Sequence, residues 1–154
     1  MRKINRGMPI PDPDHVMRHI HWNKLQKDEN NNVLGILPQA FALRDCDKGA
    51  LSVNWVEYYD GTHDEKIYKT VQDIRKAVKV GPKSAFSVST VQAIKETCKN
   101  TSKLIKVVYW PNSNNHSHAL IQHLPKNDMA LLDGLSKEAF STLIHNSTIG
   151  GGLV

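Results

Sequence analysis

The sequence predicts an α+β (or α/β) domain, a mixed sheet with about three helices packed on it. Three observations carry that expectation. Leu51-Ser-Val-Asn-Trp55 alternates apolar and polar positions in strand-forming residue types. Thr62 to Glu65 and Ser89 to Gln92 each match the capping box that opens a helix, and apolar residues follow both at helical spacing. Strand-like and helix-like segments also succeed one another along the chain, as expected when helices cover a sheet.

The elements follow in order. Residues 1–14 read as a basic, proline-rich arm, since Pro9, Pro11 and Pro13 favour an extended path with few hydrogen-bond donors. His15 to Trp22 alternates, with Val16, Arg18, Ile20 and Trp22 on one side and His15, Met17, His19 and His21 on the other. The first side is the more apolar, so it is expected to face the core and to leave the histidines toward solvent or a groove. Residues 26–32 form a polar connection, 33–44 short extended pieces broken at Gly35 and Pro38, and 45–49 a turn. The strand over 51–59 leads to the helix opened by Thr62, with Ile67, Val71, Ile74 and Val78 as its stripe and Gly81-Pro82 as its stop.

Residues 84–88 form a short strand, and the second capping box opens a helix with Val91, Ile94 and Cys98 inward. The apolar run 103–110 predicts a strand covered on both faces. Residues 118–124 form another extended piece, ended by Pro125. Asn127 then caps a last helix to about Asn146, with Leu132, Leu135, Ala139 and Leu143 inward, and 147–154 form a glycine-rich tail. The expected organisation is an arm (1–14), one globular domain (15–146) and a tail (147–154).

A chain of 154 residues is long enough to build one core without disulfides or a structural metal. It contains no apolar run able to span a bilayer and no apolar centre of an export signal near its start, so no membrane partner is expected. Cys46 and Cys98 form no disulfide framework, which points to the reducing cytoplasm. No phosphate-binding glycine loop, dinucleotide fingerprint, nucleophile elbow or HExxH motif is present, and no cofactor is expected.

Charge distribution is more informative than net charge. Residues 66–106 hold ten Lys/Arg against Asp73 and Glu96, an excess of +8, whereas the remainder carries −3. Lys66, Lys69, Arg75, Lys76 and Lys79 avoid the apolar stripe of the first helix, and Lys95 and Lys99 do the same on the second. If both helices lie on one side of the sheet, these residues form a shared cationic surface suited to DNA or RNA, or to an acidic protein. The bland alternative is a solvated helix face.

Histidines suggest a second class of function. His19/His21 and His116/His118 form two H-x-H pairs, and the second lies beyond a strand end, a common place for catalytic groups. Together they offer four imidazoles to zinc, yet neither pair has a third-ligand motif beside it, and no metal site is assigned. Without metal, His19 and His118 form a candidate acid/base pair for phosphodiester or nucleotide hydrolysis, with Arg18 stabilising the phosphate. His63, His123 and His145 are expected to be a solvated first-turn residue, a strand residue and a helix C-terminal residue. The leading expectation is therefore a cytoplasmic polyanion-binding domain using a basic helical face. A small histidine-dependent hydrolase and an interaction module for an acidic partner are the alternatives.

Overall fold

The computed structural model describes residues 4–44, 49–101 and 103–150. Its frame is a six-stranded sheet and a separate two-stranded hairpin, with three α-helices, and the protein is α+β. The strands are β1 (His15–Ile20), β2 (Leu25–Lys27), β3 (Val33–Ile36), β4 (Ala50–Trp55), β5 (Ala85–Thr90), β6 (Lys106–Tyr109), β7 (His118–Gln122) and β8 (Thr142–His145). The helices are α1 (His63–Ala77), α2 (Val91–Thr97) and α3 (Met129–Gly134). In the large sheet the order is β6-β7-β4-β1-β5-β8, and the six ladders of the two sheets are all antiparallel, where the sequence suggested a mixed sheet.

Both faces of the sheet are covered. On one, Val16, Ile20, Leu51, Val53 and Trp55 pack with Val91 and Ile94 of α2, with α3 and with Phe140. On the other, Met17, Phe86 and Val88 pack with Ile67, Val71 and Ile74 of α1. Residues 16 and 17 thus point into different cores, and both are fully buried. His19 and His21 do face a groove, as expected of the histidine side of β1, but α1 roofs that side at Met17, which the sequence left among the outward residues.

The cap of α1 is as the sequence predicts, with Thr62 accepting from the Glu65 N–H and Glu65 reaching back to the Thr62 N–H. The cap of α2 shifts by one residue, since Thr90 rather than Ser89 accepts from Ala93 N–H. The last helix differs more. α3 ends at Gly134, a π-helical turn spans Leu135–Ala139, and 142–145 form strand β8 instead of continuing the helix. Thr142-Leu143-Ile144 is a good edge-strand sequence, and pairing with Ala85–Val88 outweighs helical spacing.

Residues 7–14 and 146–150 also dock on the domain. Residues 7–10 run along the outer side of β6, with Gly7 N–H to Tyr109 O at 2.7 Å and Ile10 N–H to Val107 O at 3.0 Å. Pro9 lacks an N–H and suits such an outer edge. The carbonyls of Asp12 and Asp14 accept from Gln92 and Val91, two first-turn N–H groups of α2 that have no partner within the helix. At the other end, the Arg75 guanidinium binds Asn146 Oδ1 and the carbonyls of Asn146, Ile149 and Gly150.

No helix among the described residues is long and apolar enough to cross a membrane. Residues 1–3 of the expected arm, Cys46 and residues 151–154 of the expected tail lie outside the described residues.

Candidate functional site: a cationic cavity where the sheet splits

β1 pairs with β5 over six residues, and β4 with β7 over five. Between β1 and β4 the ladder holds only Val16–Trp55 and Met17–Asn54. Beyond those pairs the two central strands diverge. Arg18 lies in the opening, its Nε donating to Ala40 O and its Nη1 to Ser52 O, both at 2.8 Å. The guanidinium thus ties β1 to β4 and to the 3-10 turn Pro38–Phe41 and satisfies one carbonyl of each.

A cavity of about 660 Å³ occupies this region. Its walls carry Arg18, Lys24, Arg44, His19, His21 and His118, together with the amides of Gln39, Asn54, Asn112, Asn114 and Asn115. Among the described residues no carboxylate lines it. The C-terminal turn of α1 contributes Ile74, Ala77 and Val78. A helix C-terminus disfavours an anion, and Arg75 and Lys76 in that turn offset the effect.

The two histidine groups, distant in sequence, thus share a cavity through His19, His21 and His118. His116 is exposed and outside its lining. The His118 Nδ1 donates to Trp110 O at 2.7 Å, which places the proton of the neutral ring on Nδ1 and the lone pair on Nε2. Burial lowers the pKa of His118, against the raising effect of that bond. His19 packs against His21, with ring centroids 4.5 Å apart, and its Nε2 is buried without a hydrogen-bond partner. Burial, followed by the positive field of His21 and Arg18, lowers the His19 pKa to about 4.

This shift gives a pH prediction. Unfolded His19 titrates near 6.5 and folded His19 near 4, so the unfolded chain binds more protons between these values. The contribution of His19 is present above pH 6.5 and is lost as pH falls toward 4. A difference of 2.5 pH units at face value is about 3 kcal/mol, and partial solvent access reduces it to about 1–2 kcal/mol. Urea unfolding at pH 7.5 and 4.5 should show a larger acid-induced loss for wild type than for His19→Gln. Equal losses would contradict the assigned shift.

The floor of the cavity is a polar network. Asn54 Nδ2 donates to Asn115 Oδ1 and Ser117 Oγ, and Ser117 Oγ donates to Asp73 Oδ2 at 2.7 Å. Tyr59 OH and Ser117 N–H reach the same carboxylate oxygen. Sequence reasoning missed this network. Its signal is an acid, Asp73, bordering the apolar stripe of a helix otherwise rich in lysine, together with the Asn-rich segment 112–115.

The proposed helical surface is divided. α1 and α2 pack on opposite faces of the sheet, so Lys95 and Lys99 do not join Lys66, Lys69, Lys76 and Lys79. Lys95 pairs with Asp12 at 2.7 Å. Arg75 is committed to residues 146–150, and Lys66 is half-buried. Among the remaining histidines, His15 pairs with Glu57 and meets the exposed His63 edge-on. His123 has φ +72 just beyond β7 rather than a strand conformation, and His145 lies in β8, not at a helix end.

Among the described residues no group of three His, Cys, Asp or Glu is placed to hold a metal ion. The fold and site together define an α+β protein with a cavity at a split sheet, lined among the described residues by arginine, lysine, histidine and amide side chains. No protein-family model, curated protein or solved structure matches the chain.

Proposed function

We propose that this protein binds nucleic acid, or another phosphate-rich polyanion, through the cavity between β1 and β4. The observation behind this reading is the lining itself: Arg18, Lys24, Arg44 and three histidines converge without a carboxylate among the described lining residues. An anion there meets fixed positive charge in a recess of lowered dielectric, where each contact is worth more than on an open lysine face. The amide side chains supply neutral donors and acceptors for the rest of the ligand. Lys76 and Lys79, exposed on and just beyond α1, extend the positive field outside the cavity.

The test is fluorescence anisotropy with a labelled single-stranded RNA and a DNA duplex at two salt concentrations. Affinity should fall steeply with salt, and Lys24→Ala should reduce the logarithmic salt slope by about 0.7–0.9. No binding at low salt, or an unchanged slope, would sink the reading. Displacement by an acidic protein but not by unlabelled RNA would point instead to a protein partner.

A second reading, phosphodiester hydrolysis, is favoured by one observation. The Trp110 bond leaves His118 Nε2 as a proton acceptor in the same cavity as His19 and Arg18. Burial favours the neutral form of both imidazoles, which by itself leaves neither set up as the acid. A phosphate bound beside them would oppose this by attraction and favour the charged imidazolium that the acid role needs. Cleavage of RNA that persisted unchanged in His118→Ala would exclude this mechanism.

A further inference from the structure

A second recess lies beside the first, across one short turn. After β1, His21 caps a 3-10 turn spanning Trp22–Lys24. His21 and Lys24 line the cavity at the split sheet, whereas Trp22 lines a neighbouring recess of about 400 Å³ with Asn31, Lys83, His145 and Ser147. The sheet explains why these groups meet. Ile20 pairs with Ala85 and Ala85 with His145, so the ends of β1, β5 and β8 come side by side.

Trp22 is half-buried and anchored against the main core, so its indole is held rather than free. Lys27 Nζ lies 4.2 Å and Lys83 Nζ 5.4 Å from its ring centroid. Lys27 also donates to Trp22 O. No carboxylate lines this recess among the described residues. Asp28, in the turn that carries Asn31, already accepts from Asn30 and Asn32 with its two oxygens. An anchored aromatic flanked by lysines, one short turn from a cavity lined by arginine and lysine, is the arrangement used to hold unpaired bases together with their backbone.

We infer that the two recesses form one path for single-stranded nucleic acid, with a base stacked on Trp22 and adjoining phosphates met by Lys83 on one side of the turn and Lys24 on the other. This inference rests on the reading of the first cavity as a phosphate site. A duplex is disfavoured because its base faces are already stacked. A bound base displaces one ammonium from the indole, and that lysine then faces the neighbouring phosphate.

The experiment titrates the full chain with fluorescein-labelled oligothymidylates of two to ten nucleotides, a duplex of equal charge, and inorganic triphosphate as competitor. Affinity should rise with length until both recesses are spanned, and indole emission should be quenched on binding. Trp22→Ala should weaken the longer oligomers about tenfold or more, with Trp22→Phe retaining most of the affinity and Lys83→Ala losing several-fold. Circular dichroism checks that each variant is folded. If triphosphate competes but affinity is independent of length and of Trp22, or the duplex binds tighter, the stacking path is wrong and the phosphate reading stands. If neither triphosphate nor any oligomer binds at low salt, both fall.

Discussion

Replacing Trp55 with alanine is expected to cost about 3–5 kcal/mol, the largest single loss in the protein. The indole is fully buried at the end of β4, edge-on to Tyr58 and Tyr109, and belongs to the main core. Its Nε1 also donates to Asp14 Oδ2 at 2.9 Å and so fastens the segment before β1. Truncation leaves a cavity and an unmatched, partly buried carboxylate together. Small proteins have only about 5–15 kcal/mol in total, so the melting temperature should fall by about 10 °C or more. Trp55→Phe keeps most of the packing and loses the hydrogen bond, and should cost markedly less. Calorimetry of the three proteins at pH 7 checks the order. A loss below about 1 kcal/mol for Trp55→Ala would contradict the placement of this residue in the core.

Asp73→Ala should come next, at about 3 kcal/mol, with a loss of ligand affinity in addition. The carboxylate is buried and accepts from Tyr59 OH, Ser117 N–H and Ser117 Oγ. Without it these donors have no partner, and Ser117 is fully buried. Asp73→Asn retains one carbonyl oxygen, and the hydroxyls of Tyr59 and Ser117 can rotate to accept from the new amide, so about half the loss is expected. Because Ser117 supports Asn54 and Asn54 meets Asn115 in the cavity floor, anisotropy should show weaker polyanion binding in both variants under conditions where they remain folded. Unfolding in urea separates the two effects. Normal affinity in a folded Asp73→Ala protein would detach the network from the binding site.

Much of the frame was legible locally. Thr62-x-x-Glu65 announces the start of α1 because both partners of the cap lie within one turn. Leu51, Val53 and Trp55 announce β4 because alternation is a property of the strand itself. Residues 142–145 leave the helix that the sequence predicts, because the i, i+3/i+4 spacing of Leu132, Leu135 and Ala139 extends naturally to Leu143, while the competing partner, β5, is more than fifty residues away. His15 to His21 gave the alternation of β1 but not its environment. Met17 lies on the histidine side and is fully buried under α1, which no pattern within the strand reports.

By itself, the sequence determined the α+β class, the start of α1 and to within one residue those of α2 and α3, most strand positions and the stock of cationic and imidazole side chains. These follow from interactions between residues a few positions apart, or from composition. The tertiary structure alone decided that α1 and α2 lie on opposite faces, that Arg75 turns inward, and that β1 and β4 part after two ladder pairs. It also brought His118 to the cavity of His19 and Arg18 across about a hundred residues of chain. Such placements depend on which strands pair and which face each helix covers, a competition among long-range contacts that leaves no periodic trace in the residues themselves.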